Sequence, residues 1–311
     1  TLWWILKQLY NKGLLYKGYT IQPYSPAAGT GLSSHELNLP GTYKNVKDTS
    51  IVAQFKVIRN PQSEFLFEPS PAGAVYILAW TTTPWTLPSN TALAVGENIR
   101  YAVIDTYNAY THQPVRVVLA KDLVGKYFSE KGNAIAFANY KQGDKIIPWK
   151  LVKEIAGKQL VGLRYEQLMP YLQPLYDSSK AFQVVAGDFV TTDEGTGVVH
   201  TSPTFGADDF RVARQYGIPP LTVRDEAGNE VPVVDRKGKF VRQIGEKLKE
   251  GVEKYDIKTH RPLTADDFYV KNYTNEDESH PDYKSTDVII SIILKEENKA
   301  FKVEKYEHTY P

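Results

Sequence analysis

Two short stretches of this 311-residue sequence concentrate side chains able to handle an ester or a hydroxylated ligand. The first runs Ala79-Trp80-Thr81-Thr82-Thr83-Pro84-Trp85-Thr86-Leu87-Pro88-Ser89-Asn90-Thr91. An apolar run over 75–80 leads into three threonines, and Pro84 and Pro88 fix φ and stop a strand from continuing. The expected product is a stiff strand end lined with neutral hydroxyls, each donating one hydrogen bond and accepting two. That lining suits ribose hydroxyls, a carbonyl or a bound water, and it sets no charge against an ester. Asn90 adds an amide that both donates and accepts. The second stretch is Asp193-Glu194-Gly195-Thr196-Gly197-Val198-Val199-His200-Thr201-Ser202-Pro203, followed by Phe205-Gly206-Ala207-Asp208-Asp209. Gly195 and Gly197 permit a tight turn and a close backbone approach. His200 ends a short strand and the aspartates open a helix, so His200 and one aspartate could converge on one pocket mouth. Residues 208 and 209 diverge by about 100° around a helix, so only one of them faces a given ligand.

Plainer readings stand beside these. Threonines are good strand residues and prolines common loop residues. Asp208 and Asp209 in a first helical turn favour the helix dipole with or without a ligand. A single histidine after a strand is more often structural than catalytic. Gly195-Thr196-Gly197 lacks the Lys-Ser/Thr of a phosphate-binding P-loop. The six histidines (His35, His112, His200, His260, His280 and His308) show no H-E-x-x-H or paired ligand spacing, so no metal site is expected. A serine-hydrolase elbow, Gly-x-Ser-x-Gly, is absent too.

The elements that must hold these side chains are mostly short β-branched and aromatic runs separated by turn residues. Strands are expected near 51–57, 75–80, 91–95, 101–105, 115–119 and 182–190, with a further one at 288–294. Helical spacing appears at 2–17 (Leu2, Leu6, Leu9), with Gly18 as a stop. It recurs at 207–216, ended by Gly217 and Pro219, and at 241–255, where Val241, Ile244, Leu248, Val252 and Tyr255 share a face. Residues 19–43 read as an extended Pro/Gly/Ser-rich connection and 272–284 as an exposed loop. The fold class is α+β, a β-barrel-like core with peripheral helices.

Composition bounds the function. The net charge is +1, so nucleic acid would be held locally, not by a whole-surface basic field. The chain has no cysteine, which excludes disulfides and thiolate zinc sites. No apolar run approaches the roughly 18 residues that span a bilayer, so no membrane partner is expected. Thr1-Leu2-Trp3-Trp4-Ile5-Leu6 leads into Lys7, Gln8, Asn11 and Lys12 and reads as an amphipathic helix, not a signal peptide. The sequence starts without Met and stops at Tyr310-Pro311, which reads as a piece of a longer chain.

The two stretches together resemble the editing domain of isoleucyl-tRNA synthetases. Residues 80–91 are similar to that family's threonine-rich peptide, and Glu194–Pro203 with Asp208-Asp209 to its second editing motif. Trp3-Trp4, Leu15–Gly18 and Tyr24-Ser25-Pro26 resemble the segment that enters the domain, and 306–311 the segment that returns to the synthetase core. The resemblance covers nearly the whole chain, more loosely over 105–180 and 265–300. Valine and leucine enzymes typically carry Thr-Thr-Arg-Pro in the first motif; Thr83 stands at the arginine position here, which favours isoleucine. Ser202 departs from the alanine more familiar before that proline. The ATP-using signatures His-Ile-Gly-His and Lys-Met-Ser-Lys-Ser are absent.

That resemblance implies three segments: 1–44, a helical lead-in and connector from the synthetase core; 45–305, the editing domain; and 306–311, the start of the return. It implies hydrolysis of valine from mischarged isoleucine tRNA, with valyl-adenylate as a further substrate. The cofactors ATP and Mg belong to the parent enzyme and none to this piece. The implied partners are the acceptor end of tRNA(Ile) carrying valine and the remainder of the synthetase, with no DNA, in the cytoplasm. Thr82, Thr83 and Asp209 are the implied catalytic residues, Asp209 anchoring the α-ammonium. Trp80, Thr81, Thr86, Asn90 and His200 are the implied substrate-binding residues, His200 as a wall admitting valine and excluding isoleucine. A tRNA-docking module without catalysis, a valyl-tRNA synthetase editing domain and a metallohydrolase remain as alternatives.

Overall fold

The computed structural model describes residues 1–16, 21–26 and 28–310. Nine strands carry the architecture: β1 Lys44–Lys56, β2 Ala74–Thr81, β3 Ala92–Val95, β4 Arg100–Tyr107, β5 Pro114–Ala120, β6 Trp149–Ala156, β7 Gln183–Ala186, β8 Val198–Thr201 and β9 Ala300–Tyr310. Six of them form one mixed sheet in the order β9-β1-β2-β5-β4-β6, and three form a second, β8-β3-β7. Within these sheets β2/β5 and β3/β7 are parallel pairs and the remaining neighbours are antiparallel. Two-stranded ribbons at Tyr24–Ser25/Thr30–Gly31 and Thr222–Arg224/Glu230–Pro232 lie outside them.

The mixed α+β class is as expected. The two sheets share one core built from Ile51, Phe55, Ile77, Leu93, Val103, Val118, Val184 and Val198. Gly195-Thr196-Gly197 is the seam. Ala120 donates its N–H to Thr196 O at 2.8 Å, Thr196 Oγ1 donates to Leu78 O at 2.7 Å, and Tyr101 OH donates to Gly197 O at 2.6 Å. Gly197 has φ 71°, and a Cβ there would sit 2.4 Å from Ala120 Cβ, so only glycine lets the sheets approach this closely.

Four helices matter here: α1 Leu2–Asn11, α2 Ala207–Tyr216, α3 Arg242–Lys254 and α4 Thr286–Glu296. α2 matches its expected span and ends on Gly217 in the left-handed region, φ 67°. α1 is shorter than 2–17, stopping at Asn11, and buries none of its residues; Gly18, the expected stop, lies outside the described residues. The region 288–294 is a helix and not a strand. Its apolar run, broken only by Ser291, carries no period that separates the two states. Ser285 caps it by accepting from Val288 N, and Ile289, Ile290, Ile293 and Leu294 are all buried. Strand β9 pairs with β1 from Ala300 to Tyr310, so the boundary placed at 305/306 falls inside one continuous strand.

Candidate functional site

The two sequence motifs meet because β3 and β8 pair antiparallel. His200 lies opposite Leu93 and Thr201 opposite Ala92, which sets the end of β8 beside the start of β3. The threonine stretch leads into β3: Thr81 closes β2, Thr82 occupies a bend, and Pro84–Ser89 forms a six-residue 3-10 helix. Thr91 N donates to Thr201 O at 3.0 Å, fixing the junction.

The hydroxyls form one connected chain. Thr83 N donates to Thr81 Oγ1 at 3.0 Å, the Thr81 and Thr83 hydroxyls lie 3.1 Å apart, and Thr83 Oγ1 is 3.5 Å from Thr86 Oγ1. Thr86 Oγ1 donates to Thr83 O at 2.9 Å. The same oxygen lies 2.9 Å from His200 Nε2, which ends the chain on the ring. The Nδ1 of His200 is buried and without a protein partner among the described residues, a polar atom left for a ligand to engage. Burial lowers the His200 pKa to about 4, so the ring is neutral at pH 7.

Asp209 stands in the first turn of α2, after Gly206 at the N-cap. Its Oδ2 accepts the N–H of Ser202 at 2.9 Å, two residues beyond His200. Burial raises its pKa to about 6, against the lowering effect of the Ser202 amide and with the neighbouring Asp208 charge adding to the rise. Asp208 points outward and pairs with Arg211 at 3.2 Å, so one aspartate of the two is turned inward. No direct hydrogen bond joins Asp209 to His200 or the threonines. The link runs through Ser202, whose Oγ donates to Ser89 O at 3.2 Å. Trp85 and Phe205, one from each motif, pack edge to face with centroids 5.0 Å apart.

Thr81, Thr83, Thr86 and His200 are thus brought together, with Asp209 one backbone link away. Thr82 is half-buried in the bend and makes no side-chain hydrogen bond with the described residues, which leaves its hydroxyl free. Two expected site residues are placed elsewhere. Asn90 is turned into the protein: its Nδ2 donates to Ala92 O and Thr201 O, and its Oδ1 accepts from Tyr165 OH at 2.6 Å. With that amide engaged it fastens the loop and offers little to a ligand. Trp80 lies on the other face of the sheet from Thr81, because successive strand residues alternate. It packs with Tyr306 at 5.1 Å and lines a separate niche with Lys126, Tyr127 and Lys302.

One residue that sequence reasoning did not single out touches the loop directly. Asp287, in the first turn of α4, accepts the Trp85 N–H at 2.7 Å, and burial raises its pKa to about 7. Its only sequence signal is the helix-start pattern Ser285-Thr286-Asp287, which says nothing of a contact 202 residues away. Among the described residues no three His, Asp or Glu side chains gather as a metal-ligand set, and no helix is long and apolar enough to cross a membrane.

The family model for tRNA synthetases class I (I, L, M and V) matches residues 1–297. An isoleucine–tRNA ligase of Cytophaga hutchinsonii is 55% identical, the match covering 100% of this chain and 26% of that protein. That of Bacteroides fragilis is 52% identical over the same shares, 100% and 26%. The chain therefore spans about a quarter of the length of the curated relatives it matches. Among solved structures, the editing domain of the P. knowlesi cytosolic leucyl-tRNA synthetase is similar over 83% of this chain and 97% of that one, with a TM-score of 0.46 and 11% identity. On the strength of the match over residues 1–297, this chain belongs to the class I tRNA synthetases.

Proposed function

We propose that this chain is the editing module of an isoleucine–tRNA ligase and hydrolyses valine esterified to isoleucine tRNA. The observation that carries the reading is the chain of hydroxyls Thr81–Thr83–Thr86 ending on a neutral, buried His200, with the desolvated carboxylate of Asp209 alongside. Identity of 55% to a ligase named for isoleucine supports the choice of amino acid.

The need for such a module follows from the weakness of apolar discrimination. One methylene is worth only ~1–3 kcal/mol, a limit for which isoleucine against valine in these very ligases is itself the standard illustration. A second site that is too small for isoleucine inverts the selection. Asp209 holds the α-ammonium of the esterified valine through a charge-assisted hydrogen bond. An ammonium also stabilises the carboxylate form that burial alone disfavours, which favours Asp209 as anchor over general base. His200 forms the wall that measures the side chain. The Thr81, Thr82 and Thr83 hydroxyls hold the terminal adenosine, the ester and the attacking water.

In the reaction, water adds through its oxygen to the ester carbonyl and the carbon–oxygen bond to the ribose breaks. Its protons pass to the departing ribose hydroxyl and to solvent, leaving valine and intact tRNA. Activation with ATP and Mg2+ is assigned to the remainder of the synthetase chain, which also shares the grip on tRNA, and the site of action is the cytoplasm.

The test is deacylation by the full-length synthetase. Valyl-tRNA(Ile) is hydrolysed and isoleucyl-tRNA(Ile) spared, and Asp209→Ala abolishes the former. Unchanged hydrolysis in Asp209→Ala removes the anchor, and a wild type that spares both esters reduces the module to tRNA docking. Preference for threonyl over valyl esters points to a valine-type enzyme.

A further inference from the structure

A 3-10 helix in the active loop is capped from the far end of the chain. A threonine at the N-cap position ordinarily turns its hydroxyl onto the N–H of the second or third helical residue. Thr83 holds that position ahead of Pro84–Ser89 and makes no side-chain capping bond; its hydroxyl faces Thr81 and Thr86. Of the first three helical residues, Pro84 has no N–H, and Thr86 gives its N–H to Thr83 O at 3.0 Å. The remaining donor is Trp85 N–H, and Asp287 Oδ1 meets it at 2.7 Å. Asp287 is 4% exposed and sits in the first turn of α4, where the helix dipole favours a carboxylate. Lys271, Lys305 and Asp48 are the charged groups that act on it, and Lys271 is itself paired with Asp48 at 2.8 Å. An uncapped buried N–H would be costly. Without Asp287, the side chain at the position that ordinarily satisfies such an N–H is that of the N-cap residue, Thr83.

We propose that Asp287 is a positioning residue for the hydrolysis: by capping Trp85 it releases the Thr83 hydroxyl from capping and keeps it in the hydroxyl chain that faces substrate. The proposal rests on the editing reading above for its consequence, and on the geometry alone for the cap.

Two measurements on the full synthetase chain separate these. The first is hydrogen–deuterium exchange over a peptide covering residues 82–91. Asp287→Ala speeds exchange at the Trp85 amide by roughly tenfold, whereas Asp287→Asn, whose amide oxygen still accepts, keeps it protected. Equal protection in wild type and Asp287→Ala overturns the cap. The second is hydrolysis of valyl-tRNA(Ile), with aminoacylation by the same chain as the check on folding. Asp287→Ala lowers kcat by roughly tenfold at similar KM, Asp287→Asn restores it, and Thr83→Val/Asp287→Ala is no worse than Thr83→Val alone. Additive losses in the double variant overturn the route through Thr83. Should Asp287→Ala fail to fold, Asp287→Ser, too short to reach Trp85, replaces it in both arms. A wild type that hydrolyses nothing overturns the editing reading and the catalytic half of the proposal, while exchange still decides the cap.

Discussion

His200 Nε2 lies in a hydrogen bond with the Thr86 hydroxyl at 2.9 Å, while its other ring nitrogen is buried and unengaged. The orientation of the ring therefore hangs on one threonine. Thr86→Val removes that partner while keeping nearly the same shape, and the ring is then free to turn. If His200 is the wall that measures the side chain, hydrolysis of correctly charged isoleucyl-tRNA rises and the valine-to-isoleucine ratio of deacylation rates falls by roughly tenfold, about 1.4 kcal/mol of lost discrimination. His200→Ala goes further in the same direction. A ratio left unchanged in both variants rules out the size-measuring role.

Asp209 gives the reaction a pH dependence of known sign. Its pKa in the folded protein is raised to about 6 by burial, so its carboxylate, the form that can hold an ammonium, is populated only above that value. Second-order hydrolysis, kcat/KM, climbs between about pH 5 and 7 and then flattens, reporting the free enzyme. Stability moves the opposite way. Because the folded pKa lies above the usual 3.8, the folded chain keeps a proton the unfolded chain has lost, and that contribution disappears as pH rises from 3.8 through about 6. Asp209→Asn therefore gains on wild type across that window, by about 1–3 kcal/mol in denaturant titrations, while losing the kcat/KM rise. A variant that keeps the rise assigns it to another group.

Away from the site, the guanidinium of Arg116 is fully buried and holds Asp105 through two bonds, Nε to Oδ1 at 2.6 Å and Nη2 to Oδ2 at 2.8 Å. Its Nη1 donates to Leu66 O and Pro69 O. Asp105→Ala strands that charge and should cost about 3–5 kcal/mol, read as a fall in the denaturation midpoint. Arg116→Met/Asp105→Leu removes both charges and should recover most of the loss. If the double variant is as unstable as the single one, the pair contributes by attraction and not by mutual compensation.

How far the sequence could be read depended on whether a feature is local. The helix Ala207–Tyr216 was legible because its apolar stripe and the Gly217 stop are both written within one short segment. The run at 288–294 was not, because six apolar residues broken only by Ser291 carry no period, and burial of most of the turn-by-turn surface decided for helix. Strand β9 escaped notice because Lys302, Glu304, Lys305 and Glu307 break up its apolar residues, as suits the edge of a sheet. At the site, Thr81, Thr83 and Thr86 declared themselves by type and spacing. Asn90 stood out equally well, but no sequence pattern tells an amide facing a ligand from one spent on Ala92, Thr201 and Tyr165. Asp287 was invisible for the same reason: its meaning lies in a contact with Trp85, not in its neighbours.

Trp80 is the exception, a placement the sequence did contain. It directly precedes Thr81 on one strand, and a period of two puts neighbours on opposite faces. Ala79 and Ile77 join the main core with Thr81's face, while Leu78, Tyr76 and Trp80 belong to the second cluster. The ring packs on Tyr306 and beside Gly195, away from the hydroxyl chain. Trp80→Phe, which keeps an aromatic ring in that niche, should leave kcat and KM for valyl-tRNA(Ile) within about twofold of wild type, with the cost confined to stability, on the order of 1 kcal/mol. Thr81→Val, one residue on, should lower kcat by roughly tenfold or more at similar stability. If Trp80→Phe instead cripples hydrolysis while Thr81→Val does not, the catalytic face of β2 has been assigned the wrong way round.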